Sequence, residues 1–435
     1  PELLRPMTAA MHASIAAGKA MQNAKPQGWS NMLLGLAKSK CHDGPLIAVC
    51  AERLASQGAD TDTQAAANSL WALSKMRWYL PGVYERLVAQ LADQVERAQS
   101  QNISNALLAC AEAGYYGPAL AQLLDRVLTA RIGSLEKWEV QHLSNALYAW
   151  ASSCGQAGSQ LPTSVRTLYD QLAGRLMNRI VSISSRSKIK EVALTQVWQG
   201  YQEAAYRNLP WAATALPPRL LQSCQTASMQ NMQGLRRHIT SQAWYKQLVA
   251  ACTFTAAGCT ITGATEQGST YTHLVLQPRN STAKVAVLLA IDLFTFQHPA
   301  GELNGTGWRV VSVLQRVYDA VVVVRLEEGA LSPKLTDESA QLLSQALLLP
   351  EAGTDPSGKR QLGCALVAPP QSLPSSPAAG SPAVPQPAQP LATDDGSAQQ
   401  VQDPAKRQDT APAAALQPAR SSTLIKPRTA SGLLW

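Results

Sequence analysis

Apolar residues in the first half of the chain fall at helical spacing, and the spacing itself recurs. Segments 29–36, 66–73, 103–110 and 143–150 align on Asn31, Asn68, Asn105 and Asn145, with intervals of 37, 37 and 40 residues. At 100° per residue, the positions two before, two after and five after each Asn lie on the opposite side of the helix. Those positions are apolar in every copy: Trp29, Leu33, Leu36; Ala66, Leu70, Leu73; Ile103, Leu107, Cys110; Leu143, Leu147, Trp150. This pattern predicts one face packed against a partner helix. A second amphipathic run follows each copy, opened by Pro45, Pro81, Pro118 or Pro162, as proline suits a first helical turn. Two helices repeated every 37–40 residues predict an all-α solenoid over residues 1–207. A weaker fifth unit starts at 194–198, and residues 1–25 read as the second half of a further unit.

The Asn side of each first helix is polar: Gln27, Asn31, Lys38; Gln64, Asn68, Lys75; Gln101, Asn105, Glu112; Gln141, Asn145, Ser152. Stacked units would align these residues into one stripe. Amides and lysines on such a wall suit base edges and phosphates, one base per repeat. An unvarying Asn and Gln serve equally to hydrogen-bond adjacent repeats, and both roles stay open. Discrimination between bases needs positions that vary. Near this face these are Gly28, Ala65, Asn102 and His142, three before the Asn, and Lys38, Lys75, Glu112 and Ser152, seven after it.

Pro210 and Pro217-Pro218 interrupt the helical pattern, which marks a boundary. Beyond it the period predicts a helix over 243–251, strands over 271–276, 284–293, 308–313 and 320–326, and a helix over 337–348. This reads as a small α/β domain over 208–350, with its linker helices. Residues 366–435 are dominated by Pro, Ala, Ser, Gln and Thr and predict a disordered tail.

Charge and candidate chemistry narrow the picture. Lys+Arg number 37 against 29 Asp+Glu, a net +8, which permits a polyanionic partner without requiring one. The eight cysteines show no CxxC pair or zinc-ligand spacing, so buried thiols in a reducing compartment are expected rather than disulfides. The best apolar run, 285–294, is too short for a membrane span and contains Asp292. His12, His42, His142, His238, His273 and His298 sit in no HExxH or His/Asp/Ser arrangement. GxSxG, Walker and GxGxxG motifs are missing as well. The expectation is therefore a non-enzymatic chain with no catalytic residue, metal, cofactor, small-molecule substrate or membrane.

The four in-register copies of Q-x-x-S-N-x-L-x-A resemble the octotricopeptide repeat family over about residues 1–180. The resemblance implies single-stranded organelle RNA as partner, with other RNA-processing proteins. It also implies action in transcript stability, processing, splicing or translation, in the chloroplast stroma or alternatively the mitochondrial matrix. Carried onto this chain, the RNA-binding set is Gln27, Gly28, Asn31, Lys38, Gln64, Ala65, Asn68, Lys75, Gln101, Asn102, Asn105, Gln141, His142 and Asn145. Downstream, Gly307-Trp308-Arg309-Val310-Val311-Ser312-Val313, with the preceding strand, resembles the RAP domain, whose fold is restriction-endonuclease-like. The E-x-D-G segment of that family is replaced here by Leu288-Leu289-Ala290-Ile291-Asp292, and Thr272-His273 stands where an acid is common. A degenerate domain is expected. The alternatives are an RNA endonuclease rebuilt on Asp292 and Glu302, and a solenoid scaffold for protein partners.

Overall fold

A computed structural model describes residues 24–155, 161–184, 189–214, 216–267, 270–291, 294–300, 302–327, 332–348 and 364–367, and residues 9, 10 and 13 besides. Asp292 and residues 368–435, most of the expected tail, lie outside these. Helices α1 (Pro26–Ser39), α3 (Thr63–Lys75), α5 (Ser100–Ala113), α7 (Val140–Gly155) and α9 (Glu191–Tyr206) carry the Asn-type motif and its fifth copy. They pack side by side in one layer. Helices α2 (Gly44–Ser56), α4 (Pro81–Asp93), α6 (Pro118–Arg126) and α8 (Thr163–Ser184) form a second layer behind them. All twelve residues expected on the packed face are buried, in one continuous core.

Local signals set the helix ends. Asp43 accepts from Leu46 N at 3.1 Å and Asp62 from Ala65 N at 2.7 Å, each satisfying an orphan amide. Four first-layer helices end alike, on a left-handed residue: Lys40, Arg77, Gly114 and Asn208, with φ of 54°, 59°, 67° and 54°. In each, the next amide bonds back five residues: Cys41 N to Leu36 O, Trp78 N to Leu73 O, Tyr115 N to Cys110 O, Leu209 N to Ala204 O. This is the Schellman arrangement. The first three stand 37 residues apart, so the sequence period is also a backbone period.

Helix α10 (Pro218–Ser241) packs on α9 and belongs to both halves of the molecule. Its Leu220 and Cys224 complete the solenoid core, while Met232, Leu235 and Ile239 begin a second core. After α11 (Ala243–Thr255) comes a five-stranded sheet of order β1 (Cys259–Thr262), β4 (Leu274–Pro278), β5 (Val285–Leu289), β6 (Ala320–Val324), β7 (Cys364–Val367). The first two pairings are antiparallel and the last two parallel. A two-stranded ribbon, β2 (Thr265–Gln267) and β3 (Thr270–Thr272), stands apart.

Residues 308–313, expected as a strand, are helical. They lie in α12 (Gly305–Gln315), capped by Asn304, which accepts from Gly307 N at 2.9 Å. The β-branched run mimics a strand, but β5 and β6 pair in parallel and so need a crossover, which α12 supplies. Val310, Val311 and Leu314 share its buried face. Strand β5 stops at Leu289 rather than 293, and β7 takes residues 366 and 367 into the sheet. Helix α13 (Asp337–Leu347) matches its expected span to within one residue.

Candidate nucleic-acid interface

The polar stripe runs along the free face of the first layer, opposite the second. Gln27, Asn31, Lys38, Gln64 and Gln101 are exposed, and Asn68 and Asn105 are half-buried. Among the described residues, the side chains of Asn31, Asn68 and Asn105 take part in no hydrogen bond. Asn145 differs. Its Oδ1 accepts from Gln141 Nε2 and from Gln196 Nε2 of the next repeat, both at 2.9 Å, while Ser144 Oγ donates to Gln196 Oε1 at 2.8 Å. Lys75 pairs with Glu112 of the next repeat at 2.8 Å, and Ser74 bonds the same carboxylate. Ser152 is buried.

The positions three before the Asn occupy the seams between first-layer helices. Ala65 is 2% exposed, and its carbonyl accepts from Ser30 Oγ at 3.0 Å. Asn102 is 7% exposed and donates from Nδ2 to Thr63 Oγ1 at 3.2 Å. His142, half-buried, meets Ser100 Oγ through Nδ1 at 3.0 Å, and burial lowers its pKa. Gly28 alone of the four lies open. The reason is angular: these side chains point about 60° from the Asn, toward the preceding helix.

The sheet domain is seated on the same free face, at its C-terminal end. Helix α12 packs against α5 and α7. Trp78 stacks on His298 at 4.7 Å between centroids, and Tyr79 on Phe296 at 5.6 Å. Tyr79 N donates to His298 O at 2.9 Å and Gln297 N to Arg77 O at 3.0 Å. Arg309 lies over the Tyr148 ring at 5.4 Å. Arg316 pairs with Glu203 at 2.8 Å and stacks 3.7 Å above the Tyr206 ring. Tyr148, Gln199 and Glu203 stand three or seven residues after the Asn-aligned position, on the stripe's own side. Sequence reasoning missed them, although the seven-residue spacing of Arg309 and Arg316 marks a shared helix face.

Among the described residues no group of three or more His, Cys, Asp and Glu side chains is placed to hold a metal. Glu302 is exposed. His273 is fully buried, its Nδ1 accepts from Leu289 N at 2.8 Å, and burial pushes its pKa down to about 3, so the ring is neutral. Burial also pushes the Cys50, Cys224 and Cys252 thiols up to about 12, which makes them poor nucleophiles. No helix is long and apolar enough to cross a membrane among the described residues. The chain matches no protein-family model and no curated protein sequence.

Proposed function

We infer that the protein binds a single-stranded segment of organelle RNA along the free face of α1, α3 and α5, as an octotricopeptide-type solenoid. The observation that carries this is the set of Asn31, Asn68 and Asn105: three amides at equal sequence spacing on one face, none used internally, each beside an exposed Gln. An amide that serves no structural bond is available to a base edge. The RAP-like domain, lacking the acids of its family pattern, caps the wall and offers a surface for other RNA-processing proteins. The protein acts by occupancy, shielding or remodelling the transcript it covers, in the chloroplast stroma or the mitochondrial matrix.

The test is ultraviolet crosslinking of the full chain in cells, with sequencing of the bound RNA and mapping of crosslinked peptides. Enrichment of organelle transcripts, with crosslinks on α1, α3 and α5, is expected. No enriched RNA, or crosslinks confined to other elements, overturns the proposal.

A further inference from the structure

The residue three after each motif Asn stands on the stripe's side of its helix, turned about 60° toward the following helix. Down the repeats this position reads Leu34, Trp71, Leu108, Tyr148 and, in the fifth copy, Gln199. The last three are closed, at 6%, 2% and 3% exposed, on the helices α5, α7 and α9 that α12 meets. Leu34 and Trp71, ahead of that covered stretch, are only half-buried. Trp71 therefore opens on the groove between α3 and α5, and among the described residues its Nε1 takes part in no hydrogen bond. Gln64, Asn68, Trp71 and Lys75 follow one another along α3 as a single line on the helix.

Tyr148 shows what this position accepts. Its ring is covered by a flat group, the Arg309 guanidinium, at 5.4 Å. Trp71 presents the larger indole, and the amides of Asn68 on the same helix and Asn105 on the next flank the groove. An arginine from a protein would use only the oxygens of those amides, since a guanidinium has donors and no acceptor. A nucleobase lays a π-face on the indole and brings both donors and acceptors to the amides, so it matches both kinds of group at once. We propose that Trp71 is the stacking platform for one base of a single-stranded RNA, with the Asn68 amide at that base's edge. This rests on the RNA-binding reading and adds to it. The position three after the Asn, and not the amides alone, sets how tightly a repeat holds its nucleotide.

The experiment titrates short oligoadenylate, oligouridylate and an oligoarginine peptide into the full chain and into Trp71→Phe, Trp71→Leu and Leu34→Trp, recording Tm and salt dependence for each. Stacking tolerates any base, so both RNAs should bind the wild type. Trp71→Leu keeps apolar contact with the core and should weaken RNA about 5-fold or more, the least that one stacked base contributes. Trp71→Phe should retain most of the affinity, and the salt slope should not change, because stacking releases no counterions. Leu34→Trp places an indole at the same position one repeat earlier and should tighten RNA by about 5-fold; this gain decides the matter even if Trp71→Leu folds poorly. Wild-type affinity in Trp71→Leu overturns the inference, as does an equal loss in Trp71→Phe, no gain in Leu34→Trp, or binding of the peptide in place of both RNAs. The cellular crosslinking separates the two ideas. Transcripts enriched on α1, α3 and α5 with no effect of Trp71→Leu remove the platform alone; no RNA in either assay removes both.

Discussion

At the scale of single residues, the same amino acid does different work in successive repeats. Asn145 ties α7 to α9 through Gln141 and Gln196, whereas Asn68 spends its amide on no protein partner. Asn145→Ala should cost about 1–2 kcal/mol, since it leaves Gln196 half-matched. Asn68→Ala should stay within about 0.5 kcal/mol while weakening RNA binding. Urea unfolding and an RNA titration on each variant check this; equal destabilisation would make the whole Asn series structural. The helix ends give a second expectation. Lys40 holds a left-handed φ of 54°, a conformation that strains a side-chain-bearing residue by about 1 kcal/mol. Lys40→Gly should therefore raise stability by roughly 0.5–1 kcal/mol, and Gly114→Ala, at the equivalent stop, should lower it by a similar amount. Of the three evenly spaced stops, only Gly114 has the residue type that favours a left-handed end. No side-chain preference announces a left-handed lysine or arginine, so Lys40 and Arg77 are marked by the 37-residue register alone.

At the scale of elements, the solenoid was legible and the sheet domain only partly. A helix pair repeated in register states its packed face several times over, and each of Trp29, Leu70, Leu107 and Trp150 went where its spacing said. Helix α12 has no such redundancy. Trp308–Val313 favours a strand locally, and the parallel pairing of β5 with β6 overrides it. The bend between β3 and β4 supplies a test of burial. His273 is neutral in the fold, with a pKa near 3 against an ordinary 6.5. Between those values the unfolded chain binds the extra proton, so stability falls as the pH drops from about 6.5 toward 3, by up to about 1.4 kcal/mol per pH unit. Above 6.5 this group has no effect. His273→Gln retains an acceptor for Leu289 N and removes the titration. Its unfolding free energy should therefore fall less than that of the wild type between pH 7 and pH 5. Parallel slopes for the two proteins would mean that the ring takes up its proton inside the fold.

At the scale of the molecule, the two cores share α10, and the sheet domain rests on the wall that the solenoid would otherwise leave open. This divides the first-layer face into a free portion over α1 and α3, a portion over α5 that α12 partly covers, and a covered portion over α7 and α9. The division was not legible, because it depends on the contacts of Trp78, Tyr148 and Glu203 with residues more than 100 positions away. It also settles how charge can act. The net charge of +8 suggests strong phosphate binding, but the stripe spends Lys75 on Glu112 and keeps Lys38 exposed. A wall with so few available cations should bind RNA mainly through amide and base contacts, with weak dependence on salt. Each phosphate neutralised on a single strand contributes a slope of about −0.7 in log K against log salt. The full chain should therefore show a slope of about −1 to −2, and Lys38→Ala should remove about 0.7 of it while leaving base preference unchanged. A slope of about −4 or steeper, unaltered in Lys38→Ala, would place the RNA on another surface, with Arg236 and Arg237 of α10 as the first region to examine.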